Sequence, residues 1–371
     1  MTTFQSALSV HDDWQIATQA CLEQLTPIEG QPLAFIFISD RFHEYFTDIV
    51  VRLKHATGIV DWVGTEGMGI LGPGQEVYEQ GAISVLITDL TAPRYRLIPS
   101  VTKTPETYLN KERAWIEQQQ PFFGILHGDP RNEHVAEMIT QFSEGLGCGF
   151  FVGGLTSHSA NIGVQYAGVD SSGGLSGALF GADVKVVSGV TQGCSPISDA
   201  FEITHCERNI IATLDHKPAL NVLLEAAGEP GQGLDEVAEN LFLGLPIAGR
   251  DKHDYLVRNL VGVDEKNHLI AIGDMVQAGQ SLIFCRRDEE TAVHDMQRML
   301  EDVKKRSENC IKGGLYYTCL GRGRAQFGVH SEELKLIQNA LGDIPLAGFY
   351  ANGEISHNQL YGYTGVLLLF C

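Results

Sequence analysis

A recurring order of apolar runs and glycines limits what this chain can fold into. Residues 33–38 form a continuous apolar run of strand length, as a strand covered on both faces requires. Phe46, Ile49, Val50 and Leu53 then recur at helical spacing, residues 59–63 return to strand, residues 64–74 read as a glycine-rich turn, and residues 82–87 supply another strand. The same β-α-β-turn-β order runs from residue 122, through Val135, Met138, Ile139, Phe142 and Leu146, to the strand 150–152, the turn Gly153-Gly154 and residues 178–180. It returns from residue 315, through Leu334, Ile337 and Leu341, to the strand 346–350, the turn Asn352-Gly353-Glu354 and residues 366–370. Gly64 to Gly81 and Gly348 to Gly365 each span 17 positions, and Gly64 to Gly69 and Gly348 to Gly353 each span five, which marks the outer copies as a repeat. The middle copy departs from this: Gly153 to Gly177 spans 24, and position 158 is histidine.

A helix over residues 12–25 precedes the repeats, with Trp14, Ala17, Cys21 and Leu25 on one face and Asp12 and Asp13 favouring its N-terminus. A different block separates the second and third copies. It reads as a strand at 220–224, a helix around Val237, Leu241 and Leu245, strands at 256–263, 269–272 and 282–285, and a helix at 289–306. Residues 206–218 are the expected domain boundary. The expected fold is α/β in the mixed α+β sense: repeated β-α-β-β units forming mixed, largely antiparallel sheets with helices outside, in two domains. A doubly wound parallel sheet fits less well, because no helix separates the strands at 59–63 and 82–87.

At 371 residues the chain exceeds what one hydrophobic core ordinarily supports. Its 46 acidic and 26 basic residues give a formal charge of -20, which repels phosphate backbones and anionic lipid, so neither nucleic acid nor a membrane is an expected partner. No segment approaches the roughly 20 apolar residues of a membrane helix, and the N-terminus lacks the pattern of an export signal, so a cytoplasmic location is expected. The eight cysteines form no Cys-x-x-Cys pair and read as free thiols.

The sequence has no Gly-x-Ser-x-Gly elbow, His-Glu-x-x-His run or Walker A loop, and Gly67-Met68-Gly69 lies between strands rather than at a helix start. No cofactor and no metal site is expected from it. His127 and Asp129 at a strand end read as a turn with a locally bonded histidine, since no third ligand accompanies them. Two runs carry more chemistry. In Cys319-Leu320-Gly321-Arg322-Gly323, glycines flank a guanidinium that matches a carboxylate, beside a thiol; the alternative is a plain surface loop. In Asn352-Gly353-Glu354, a pair that tolerates positive φ presents a carboxylate that can face the arginine or a ligand ammonium; the alternative is a plain turn.

These runs resemble the FIST family, whose members pair an N-terminal and a C-terminal FIST domain. The likeness rests on residues 348–356 (GFYANGEIS), 319–323 (CLGRG), Arg287-Asp288 after Gly279-Gln280, Val152-Gly153-Gly154 and the strand 184–187, and it runs from about residue 30 to the C-terminus. With the N-terminal helix in residues 1–30 outside it, the resemblance implies a FIST N-terminal domain at 31–214 and a FIST C-terminal domain at 215–371. It also implies a small-ligand sensory module for signal transduction, with amino acids as suggested ligands, and a ligand-facing role for Cys319, Arg322, Asn352, Gly353, Glu354, Gly153 and Gly154. No kinase, cyclase or F-box segment accompanies the two halves, so output is expected to pass to a separate signalling protein. No catalytic turnover is expected. The competing readings are a protein-binding adaptor and an enzyme using Cys319 as nucleophile with His357 as base.

Overall fold

The three repeats follow one folding rule. In this computed structural model, which describes residues 4–27, 29–147, 149–159, 163–227, 241–247, 254–308 and 310–371, the first strand of each repeat is central. Pro32–Ser39 pairs in parallel with Trp62–Gly67 and antiparallel with Ala82–Thr91. Phe123–Gly128 does the same with Phe150–Leu155 and Leu175–Phe180, and Gly313–Cys319 with Leu346–Ala351 and Thr364–Phe370. A parallel pair needs a crossover, and the helices Phe46–Thr57, Val135–Gly145 and Glu332–Leu341 provide it. The fold is thus the mixed α/β arrangement of β-α-β-β units expected from the pattern.

Glycine enters for a reason other than turning. In the parallel registers Gly64 faces Ile36, Gly153 faces Leu126 and Gly348 faces Tyr316. A Cβ at these three positions would lie 1.7, 1.8 and 1.8 Å from the facing carbonyl oxygen, so the strands approach too closely for any side chain. Most of residues 64–74 and Gly153-Gly154, expected as turns, are therefore strand: Trp62–Gly67 with Gly69–Gly72, and Phe150–Leu155, the bend at Met68 and the turn at Pro73-Gly74 being what remains. The spacing of 17 holds structurally only at its first glycine. Ile38 pairs with Ile83 whereas the equivalent Thr318 pairs with Gly365, so Gly81 and Gly365 differ by two positions.

After its second strand each repeat crosses to another. Gly69–Gly72 of the first repeat pairs with Leu346–Ala351 of the third. Glu354–His357 of the third pairs with Phe150–Leu155 of the second, and Gln165–Ala167 of the second pairs with Trp62–Gly67 of the first. The exchange is cyclic. At its centre stand Phe37, His127 and Tyr317, one residue past the glycine register in each repeat, with ring centroids 5.6, 5.8 and 6.1 Å apart. The helix Trp14–Gln24 begins at Asp13, whose carboxylate accepts from the Gln15 and Ile16 amides, and a strand absent from the sequence reading, Gln5–Val10, precedes it along Ala82–Thr91.

Two compact units make up the chain: Met1–Thr191 with Asp295–Leu360 and Thr364–Cys371, and Gln192–His294 with Tyr361–Tyr363. In the second, an antiparallel sheet runs in the order Cys194–Pro196, Ser281–Arg287, Phe201–Glu207, Ile210–Leu214, Leu269–Ile272, Tyr255–Asp264, Leu241–Pro246. Two expectations reverse here. Residues 220–224 belong to the helix Ala219–Ala227, whose buried Ala219, Leu220, Val222, Leu223 and Ala227 form one face. Leu241 and Leu245 lie in the strand Leu241–Pro246 rather than a helix, and Val237 falls outside the described residues. Short apolar runs satisfy either period, and packing against the sheet decides between them.

Candidate functional site

Most of the motif residues meet at the carboxyl ends of three strands, Phe150–Leu155, Gly313–Cys319 and Leu346–Ala351. Cys319 is in register with Ala351, and the Leu320 amide donates to the Ala351 carbonyl at 3.1 Å. The next two residues bind the neighbouring repeat: the Asn352 amide donates to the Leu155 carbonyl at 3.0 Å, and the Leu155 amide donates to the Gly353 carbonyl at 2.8 Å. Gly353 has φ 126°, a conformation that favours glycine. Glu354 and Ile355 then pair with Gly154 and Gly153, where a Cβ on Gly154 would come within 2.7 Å of the Ala351 Cβ. Asn352 is exposed, and Cys319 and Gly353 are half-buried.

The two charged motif residues turn inward. Arg322 is 1% exposed; its Nε donates to Glu333 Oε1 at 2.9 Å, Nη2 lies 2.8 Å from the same oxygen, and the guanidinium covers the Phe327 ring at 4.9 Å. Glu333 also accepts from the Tyr316 hydroxyl at 2.7 Å, the Thr318 hydroxyl at 3.0 Å and the Gly323 amide at 3.0 Å. Glu354 is fully buried. Its Oε2 accepts from the Thr364 amide at 3.1 Å and hydroxyl at 2.8 Å, while Oε1 has no hydrogen-bond partner among the described residues. Burial pushes its carboxyl up to about 8, against the pull of the Thr364 bonds and the Arg322 charge, so Glu354 is protonated at neutral pH. Among the described residues no hydrogen bond or ion pair joins Arg322 to Glu354.

His127 and Asp129 part ways. The imidazole sits in the central aromatic cluster with neither ring nitrogen hydrogen-bonded among the described residues, and burial pushes it down to about 3. Asp129 instead accepts from the Arg131 amide and Nε, both at 2.9 Å, and from the Gly173 amide at 3.0 Å. His357 is exposed at the far end of its strand, near the Phe150 ring at 5.9 Å.

A second polar cluster combines residues that local spacing does not reveal. Glu66, near the end of Trp62–Gly67, is wholly buried and accepts from the Val164 amide at 2.8 Å. His43, on the 3-10 turn Asp40–Tyr45, places Nδ1 2.9 Å from Oε2 and 3.2 Å from Oε1. His158 places Nε2 3.4 Å from Oε1. The three donor atoms lie within 4.8 Å of one another. Burial pushes Glu66 up to about 7, opposed chiefly by the His43 hydrogen bond. One signal was present in the sequence: His158 stands five residues after Gly153, the spacing at which the outer copies carry Gly69 and Gly353. At the remaining junction, Tyr78 and Tyr350 donate to Glu76 Oε2 at 2.7 and 2.8 Å, and burial and then the Glu333 charge raise the Glu76 carboxyl. A surface groove of about 660 Å³, lined by Glu106, Asn110, Arg113, Glu117 and Glu144 among others, includes none of the motif residues.

The FIST N domain matches residues 32–217 and the FIST C domain residues 219–357. Among curated proteins, the chain is 36% identical over 198 residues to an uncharacterized protein of Mycobacterium tuberculosis, the match covering 50% of this chain and 50% of the relative. It is 35% identical over 192 residues to an uncharacterized protein of Mycobacterium bovis, covering 49% of each. The chain thus spans about half the length of the curated relatives it matches.

Proposed function

From the premise that the chain belongs to the FIST family, whose domains are associated with sensing in signal transduction, we propose that it binds a small ligand reversibly and signals through a separate protein. The observation that carries this reading is the junction where Gly153-Gly154 of the FIST N domain pairs with Ile355-Glu354 of the FIST C domain, beside Asn352 and Cys319. Carboxyl ends of parallel strands are where α/β sheets take their ligands. The ligand class is an amino acid or other small carboxylate. With the Arg322 guanidinium committed to Glu333, the exposed Asn352 amide, which carries two donors and an acceptor, is the group that meets it, with Gly353 allowing close approach. The protein acts without turnover and in the cytoplasm. In support of the location, no helix among the described residues is long and apolar enough to cross a membrane, and the formal charge of -20 disfavours anionic lipid.

A thermal-shift panel of amino acids and small carboxylates tests the proposal. At about one hundred times its dissociation constant a ligand stabilises by roughly 2.7 kcal/mol, a rise of a few degrees. Asn352→Ala removes the shift while leaving the ligand-free melting temperature in place. A flat panel together with a stoichiometric protein partner replaces the sensor with an adaptor, and chemical conversion of a hit replaces it with an enzyme.

A further inference from the structure

We propose that His43, Glu66 and His158 form a binding site for a divalent first-row transition-metal ion, separate from the small-ligand junction. The donors come from three elements, a 3-10 turn, a strand end and the loop after Phe150–Leu155, and converge within 4.8 Å. The His43 Nδ1 and His158 Nε2 atoms lie 3.2 and 3.4 Å from the same oxygen, Glu66 Oε1. Ligand atoms bound at about 2.0–2.1 Å in a tetrahedral site stand about 3.3 Å apart, so little movement is needed to admit an ion among them.

The burial pattern fits the same reading. A carboxylate with no exposure is costly to keep ionised unless it is paired or coordinates a metal. Glu66 faces two imidazoles whose rings meet edge-on, with centroids 4.7 Å apart, and the Val164 amide fixes its orientation as an outer-shell partner does. His43 is about one-third exposed, which gives an ion a route in and leaves its remaining positions to water or a small ligand. Two imidazole nitrogens and one carboxylate oxygen suit zinc, iron, cobalt or manganese, whereas calcium and magnesium take mostly oxygen. The repeat supports a dedicated site too. Glu66 occupies the position held by Leu155 and Tyr350 in the other copies, and His158 lies in the segment by which the second repeat is longer than the others between its second strand and the exchanged strand Gln165–Ala167, so both donors are departures from the shared pattern.

The test is direct titration of the full chain, stripped of metal, with Zn2+ and with Co2+. One ion per chain is expected, with Co2+ giving visible d–d bands of an intensity characteristic of fewer than six ligands. His43→Ala and His158→Ala should each weaken Zn2+ affinity by at least about a hundredfold, since even outer-shell losses reach roughly 10–100-fold. His55→Ala, at an exposed histidine outside the cluster, should leave it unchanged. Glu66→Gln keeps the side-chain shape and should abolish the Co2+ bands while far-ultraviolet circular dichroism stays native. Loss of binding only in variants that unfold, binding indifferent to His158→Ala, or no saturable site overturns the proposal. Because Asn352→Ala leaves Zn2+ binding intact and His158→Ala leaves the small-carboxylate shift intact, either proposal can fail without the other.

Discussion

The Glu354 carboxyl lies wholly enclosed against Thr364, with its pKa moved from the ordinary 4.5 to about 8. The folded protein therefore keeps a proton that the unfolded chain releases between those values. The associated stability is complete below about 4.5 and declines as pH rises to about 8, by up to roughly 1.4 kcal/mol per pH unit. Glu354→Gln has no proton to hold, so it should gain on the wild type steadily across that window in urea denaturation; a pH-independent difference would refute the assignment. Arg322 presents the opposite problem. Removing it leaves the Glu333 carboxylate buried beside two hydroxyls and an amide with no cation, so Arg322→Ala should cost about 3–5 kcal/mol. The same urea experiment checks it, and a loss below about 1 kcal/mol would show that the guanidinium is solvated. The sequence singles out Arg322 and Glu354 but leaves open whether they serve a site or a plain loop and turn, and the ligand-facing role comes from the family resemblance. Burial was the missing information: Glu333, the partner that encloses Arg322, lies eleven residues away on a helix with no motif of its own.

At the scale of elements, the glycines explain both what was legible and what was not. The order of strands and crossover helices in all three repeats follows from apolar periodicity, because a doubly covered strand and a one-faced helix have different periods. The strand edges do not. Gly64 and Gly153 look like turn residues in one dimension, and only the facing carbonyl oxygen explains them as strand residues, as it explains the glycine at Gly348 within a strand that the apolar run already marks. Gly153→Ala should therefore cost more than about 4 kcal/mol or prevent folding, whereas Gly262→Ala, in the strand Tyr255–Asp264 with nothing within 4 Å of its Cβ, should stay within about 0.5 kcal/mol. Equal melting temperatures for the two variants would remove the close-approach argument. The segments misassigned outright, Ala219–Ala227 and Leu241–Pro246, are short and apolar on more than one face, so their local sequence does not choose a period.

Across the larger compact unit, the three repeats converge on Phe37, His127 and Tyr317, and the polar member of that trio carries a cost. His127 titrates at about 3 in the folded protein against an ordinary 6.5, so its contribution is complete above 6.5 and is lost as pH falls toward 3. His127→Leu should raise stability at neutral pH by about 1–3 kcal/mol, by removing two buried nitrogens without hydrogen-bond partners among the described residues, and should flatten the acid limb of a stability–pH curve. An acid limb unchanged by the substitution would place the histidine in water. The cyclic strand exchange also bears on how the protein is made. When a ribosome has released the first two repeats, the strand Gly69–Gly72 has no Leu346–Ala351 to join, and Phe150–Leu155 lacks Glu354–His357 along its outer side. Those apolar edges stay open until residues 346–357 emerge, so the nascent chain depends on being shielded from its neighbours up to that point.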